Sequence, residues 1–101
     1  MPEQPAAKAS LQVDNERVRV TEWRFRPGAH TGWHRHEYDY VVVPSTDGVL
    51  RIVDAAGEHR AELKRGRSYY RAAGVEHDVI NAGEAELAFI EIEMKAHPIE
   101  G

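Results

Sequence analysis

The chain contains no cysteine, which removes disulfides, thiolate metal ligands and iron–sulfur clusters from consideration. It has no apolar run approaching the roughly 20 residues that a bilayer-spanning helix needs. Its first residues lack the apolar core of a secretory signal. Helical periodicity is missing throughout. Positive charge is not in excess either: 13 Lys and Arg stand against 17 Asp and Glu, for a net charge of −4. That balance argues against a general nucleic-acid binder. At 101 residues the chain can bury one core but not two. A cytoplasmic protein with neither membrane nor nucleic acid as partner is expected.

What the sequence does contain is a series of short β-patterns punctuated by glycine and proline. Thr21, Trp23 and Phe25 alternate with Glu22, Arg24 and Arg26, giving a strand with one apolar face that ends at Pro27-Gly28. His34 to Val43 reads as one long strand rich in aromatic and β-branched residues. Residues 44–48 turn and Val49 to Val53 returns. Further strands are expected near Arg60 to Leu63, Ser68 to Arg71, His77 to Asn81 and Glu86 to Met94. The β-pattern begins at Leu11. Residues 1–9, with Pro2 and Pro5, are expected to form a flexible arm ahead of a single domain over residues 10–97. The Lys64-Arg65-Gly66-Arg67 run reads as a solvated turn. Short strands at regular spacing predict an all-β sandwich or barrel.

The histidines carry the chemistry. The chain reads Gly28, five residues, His34, one residue, His36; later it reads Gly66, seven residues, Gly74, two residues, His77, three residues, Asn81. Residues two apart on a strand project from the same face, so His34 and His36 can bind one ion. A third ligand must come from another strand, and His77 supplies it. Three neutral imidazoles make a metal site that keeps open coordination positions.

These two segments resemble the paired motifs of the cupin superfamily. In the first, His34 and His36 stand in place between Gly28 and Gly48. In the second, Gly66, Gly74, His77 and Asn81 match in register, with Ala72 where the family has proline. The chain also resembles small single-domain cupins of the β-alanine degradation (BauB) type. The resemblance implies a double-stranded β-helix, the cupin jelly-roll barrel, with a ligand cavity inside. It departs from the family at the glutamate ligand, whose place falls at Tyr40 or Val41.

Strand alternation puts His34, His36, Tyr38 and Tyr40 on one face, and Arg35, Glu37 and Asp39 on the other. A β-bulge would instead bring Asp39 inward. Tyr40 is expected inside the barrel, close to the metal without binding it. Its bland role is packing, and its sharper role is catalytic, orienting a substrate through the hydroxyl. His30, His59 and His97 are read as surface residues and Trp33 as packing at the barrel rim. Asn81 is read as a hydrogen-bonding stabiliser. Glu91 lies in an apolar strand, where it pairs with an arginine, enters the cavity or, as the favoured expectation, faces solvent.

The resemblance implies one divalent metal held by His34, His36 and His77. Iron(II) is favoured, with zinc, nickel, manganese and copper as alternatives. It implies dioxygenase chemistry on a small organic acid, thiol or diketone, with a cupin isomerase or decarboxylase as an alternative. The competing expectation is a non-enzymatic small-molecule sensor or metal-binding module. A homodimer is expected through an exposed N-terminal strand that carries Trp23 and Phe25.

Overall fold

A computed structural model describes residues 5–95, and they form nine strands with no helix among the described residues. The strands are β1 (Lys8–Asp14), β2 (Val18–Phe25), β3 (His34–Arg35), β4 (Asp39–Pro44), β5 (Gly48–Asp54), β6 (Gly57–Leu63), β7 (Tyr69–Arg71), β8 (Glu76–Asn81) and β9 (Leu87–Met94). They build a five-stranded sheet in the order β1-β2-β9-β4-β7 and a four-stranded sheet in the order β3-β8-β5-β6. Every ladder between named strands is antiparallel. The two layers face each other as a jelly-roll barrel, the architecture expected from the motifs.

The core follows the alternation. Phe25, Leu50, Val42, Leu63, Leu87 and Phe89 point between the sheets and are buried. The rings of Phe25 and Phe89 pack with centroids 5.4 Å apart. Truncating Phe25 to alanine would cost about 3–5 kcal/mol, because the cavity left behind cannot collapse fully. Two glycines serve the fold for different reasons. Gly74 has a φ of +97°, a left-handed conformation that side chains resist. Gly48 is needed for close approach: a Cβ there would meet Leu87 Cδ2 at 3.0 Å.

Several expectations change. His34 to Val43 is not one strand. The chain leaves the four-stranded sheet after Arg35 and enters the five-stranded sheet at Asp39, turning a corner through residues 36–38. The corner ends the alternation that would have carried Tyr38 inward. Tyr38 instead stands over Arg19, 5.7 Å from its guanidinium, outside the main cavity. Lys8 and Ala9, expected in the arm, belong to β1. Ahead of it, the Ala7 N–H donates to the His30 carbonyl and the His30 N–H to the Pro5 carbonyl. The strand with Trp23 and Phe25 is not an edge. β1 covers one side of β2 and β9 the other, and Phe25 is fully buried. His97 lies outside the described residues.

Candidate metal centre

His34 and His77 are direct register partners on β3 and β8, and His36 follows at the corner. Their Nε2 atoms converge: His34 to His36 is 2.9 Å and His36 to His77 is 3.2 Å. The Nδ1 of His34 lies 2.9 Å from the Gly32 carbonyl, which can only accept, so this nitrogen carries the proton and Nε2 presents a lone pair. His36 can then satisfy only one of its two Nε2 neighbours. If it donates to His34 it cannot accept from His77, and if it accepts from His77 it sets two lone pairs against each other. A cation resolves the conflict, and in that sense the donor set fits a metal. The spacing is informative as well. Two nitrogens each about 2.1 Å from an ion lie about 3.0 Å apart at right angles and about 3.4 Å apart in a tetrahedron. The observed 2.9 and 3.2 Å fall within about this range, so the separations suit a shared ion.

Burial, followed by the nearby His34, holds the pKa values of His36 and His77 down at about 4. Both rings are therefore neutral at neutral pH, as metal ligation requires. The supports are local. The Val79 N–H donates to Thr31 Oγ1, which in turn donates to the Gly32 carbonyl. The Gly32 N–H donates to Asp78, whose carboxylate also holds the ring of His30 at 3.1 Å. His30 is thus not a free loop histidine. It fastens the 28–32 connection that aims His34.

Tyr40 is inside, as expected, and is 3 % exposed. Its ring stacks on that of His36 with centroids 3.9 Å apart and planes at 19°. Burial, and then the charge of Glu91, push its pKa upward, so it is a neutral phenol. Asp39 does not turn in. Its carboxylate accepts from the Tyr70 hydroxyl at 2.7 Å and the Ala73 N–H at 2.8 Å, both at the surface. Tyr40 therefore occupies the place where the family's glutamate is expected, and no bulge replaces it with Asp39.

The rings open into a cavity of about 210 Å³ between the sheets. Its other wall comes from the five-stranded sheet in cross-strand rows. One row is Arg19, Glu93, Tyr40 and Arg71, of which Tyr40 and Arg71 line the cavity; the next is Thr21, Glu91, Val42 and Tyr69, of which the last three line it. Glu91 is 8 % exposed and lines this cavity, which corrects the expectation that it faces solvent. The apolar neighbours Ile90 and Ile92 are the ones that point outward. Burial and then the charge of Glu93 raise the Glu91 pKa to about 7. The indole of Trp23 lies near Glu91 but its buried N–H makes no hydrogen bond. Glu93 is gripped by Arg19 Nε and Nη2 at 2.8 and 3.0 Å. The nearest nitrogen of His36 and carboxylate oxygens of Glu91 and Glu93 lie within 4.8 Å of one another. Glu93 and Arg19 were not singled out in the sequence as site residues, and Trp23 was assigned to an exposed edge, although both acids share the face of Phe89 on β9.

The Cupin domain family profile matches residues 21–93. The chain belongs to the cupin family. A curated relative of this cupin, the Beta-alanine degradation protein BauB of Pseudomonas aeruginosa, is 56% identical over 91 residues, covering 90% of this chain and 96% of that protein. A crystal structure of a cupin domain from Bordetella pertussis Tohama I has a TM-score of 0.93 at 54% identity, over 95% of this chain and 100% of the other. A double-stranded β-helix protein of Klebsiella pneumoniae shares the fold at a TM-score of 0.75 and 19% identity, over 94% of this chain and 82% of the other.

The remaining expected residues of the cupin fall into place around the cavity. Asn81 is buried, its Nδ2 donating to the Phe25 and Ala85 carbonyls while Oδ1 accepts from the Gly83 N–H. Trp33 is 56% exposed and does not line the cavity. His59 is exposed, but its ring stands at the cavity mouth with Asp54, a position its register with Ile52 explains.

Proposed function

We propose that this cupin is a metal-dependent enzyme acting on a small organic acid, with the metal held by His34, His36 and His77. The observation that carries the reading is the convergence of three Nε2 atoms at 2.9 and 3.2 Å, one of them with its tautomer fixed by a backbone carbonyl. Iron(II) is the ion this reading favours, since imidazole ligands suit it. Iron(II) bound there would supply a Lewis-acidic, redox-active centre for a dioxygenase.

The chain's own groups have distinct tasks in this reading. Tyr40 stacks on His36 and keeps its ring in plane, while its neutral hydroxyl orients the substrate. Arg71, lining the cavity, draws in an anionic group. Val42, Leu50, Ile52, Val79 and Phe89 exclude water from the reacting end. A buried carboxylate in the cavity, Glu91, favours an enzyme over a metal that merely staples the barrel, since a staple has no use for it. The name of the BauB relative supports a place in the breakdown of a β-amino acid.

Metal content of protein purified without a chelating tag, followed by oxygen uptake across small organic acids under iron(II) loading, tests the proposal. Stoichiometric metal with uptake on at least one acid is expected. Protein that takes up no iron would overturn it.

We also propose a homodimer, now through a different surface. The outer face of the five-stranded sheet carries Val20, Val41 and Ile92 in one register row and Val43 and Ile90 in the next. On edge strand β1, Leu11 is 60% and Val13 42% exposed. Such a face and edge suit a second copy of the chain. Light scattering at micromolar concentration should give twice the chain mass; a monomer mass rules the dimer out.

A further inference from the structure

The inner rows of the five-stranded sheet leave one charge uncompensated. Glu93 is answered by Arg19 through two hydrogen bonds. Glu91, two residues earlier on the same face, has no ion pair among the described residues, although it is only 8% exposed, and the indole of Trp23 is the donor turned toward it. Its register neighbours are Thr21 and Val42, which bring no charge. Beside it the buried indole N–H of Trp23 is also without a partner. Polar groups this deep are ordinarily satisfied, and an unpartnered indole N–H beside a carboxylate without an ion pair, both lining one cavity, marks the place where a ligand completes them. An unpaired carboxylate calls for a cation or a strong hydrogen-bond donor.

The other wall of the same cavity asks for the opposite charge. There the three imidazoles converge. With a metal in place that wall attracts an anion. The cavity holds about 210 Å³. At about 30 Å³ per water this is room for roughly seven waters, or a ligand of roughly six to nine non-hydrogen atoms. The two poles and the small volume together define one chemical class.

We propose that Glu91 anchors the amine of a short zwitterionic amino acid whose carboxylate faces the metal wall, an inference that rests on the metal-site reading above. Glu91 is then a specificity-determining residue. A ligand with the acid but no amine leaves a buried charge unanswered, and a ligand with the amine but no acid leaves the metal wall unused. Glu91 is not a replacement for the family's glutamate ligand: its register partner on β4 is Val42, and Glu93 is the acid that shares a row with Tyr40.

The test is calorimetric titration of zinc-loaded protein, zinc serving as a redox-silent stand-in, with three probes: β-alanine, propionate and n-propylamine. Wild type should bind β-alanine about tenfold or more tighter than either other probe, the effect of one charge-assisted hydrogen-bonded contact. Glu91→Gln should abolish the preference over propionate while metal content stays unchanged. Propionate binding as tightly as β-alanine in wild type overturns the inference, and that comparison needs no variant. A preference that survives Glu91→Gln overturns it too, as does loss of metal in that variant, which would make Glu91 a ligand. Wild type that takes up no metal fails the metal-site reading and this inference together, whereas metal uptake without discrimination among the probes fails the inference alone.

Discussion

The two walls of the cavity are built on different logic. The wall from β3 and β8 gathers its histidines from two short segments, each framed by its own glycines, and fixes their orientation with nearby backbone groups such as the Gly32 carbonyl. The wall from β2, β4 and β9 gathers acids and counter-ions from strands far apart in sequence: Arg19 and Glu93 are 74 residues apart. The first wall is specified locally and the second by cross-strand register. A local motif can be read along the chain. A register row exists only once the sheet has formed.

The largest expected effect strikes the first wall. His34→Ala, His36→Ala and His77→Ala should each lower metal affinity at least about tenfold, because a coordination bond is deleted. His59→Ala should not, since its ring is at the mouth and away from the converged nitrogens. Metal content after dialysis compares the four variants. Full occupancy in His77→Ala would dissolve the distinction between the walls.

On the second wall, the two acids should respond in opposite directions. Arg19→Ala leaves Glu93 buried beside Glu91 with no counter-charge, and should cost about 1–3 kcal/mol in urea unfolding, less than for a fully buried pair because Arg19 is half-exposed. Glu91→Gln removes a charge that nothing answers, and should stabilise the metal-free protein at alkaline pH by on the order of 2 kcal/mol. If both variants destabilise equally, Glu91 is compensated in a way the register does not reveal.

The pH dependence separates the walls further. His36 and His77 are held at about 4, below the ordinary 6.5. Between those values the unfolded chain binds more protons, so stability of the metal-free protein falls as pH drops through that window. Glu91 is held at about 7, above the ordinary 4.5. Here the folded chain binds the extra proton, so this contribution is fully present below pH 4.5 and lost as pH rises through 7. Glu91→Gln should therefore raise the melting temperature at pH 8 and leave it nearly unchanged at pH 4.5. A gain of equal size at both pH values would mean that charge is not the cause.

The smallest effect is expected where the walls meet, at Tyr40. Tyr40→Phe should keep metal binding within about twofold, since a neutral phenol stacked on His36 is not a ligand. Tyr40→Glu should tighten it. A visible tyrosinate band in oxidised iron-loaded wild type, absent from Tyr40→Phe, would show direct ligation instead.

The contrast also accounts for what the sequence could convey. The barrel and the three histidines were legible because glycine frames and strand parity act over a few residues. Asn81 was legible for the same reason. Tyr40 lies inside as expected, but beyond the corner, so the parity that was used does not account for it. Tyr38 was misplaced because parity stops at a corner, and nothing in His36-Glu37-Tyr38 announces one. Glu91 was expected outside because an acid among apolar residues is costly when buried, and a site for ligand recognition is where a protein tolerates that cost. Trp23 and Phe25 were given to an edge because β1, with its exposed and mixed residues, does not advertise that it covers β2.

The corner at residues 36–38 has a further consequence. His34 and His77 belong to one sheet, while His36 sits on the link to the other, its backbone N–H donating to the Val75 carbonyl and its own carbonyl accepting from the Gly74 N–H. An ion gripped by all three rings spans the joint between the layers. Opening the barrel there would then require releasing the ion, and unfolding becomes tied to metal supply by mass action. If the site binds metal as proposed, a cell starved of it would clear the protein by proteolysis sooner, and abundance would follow metal supply.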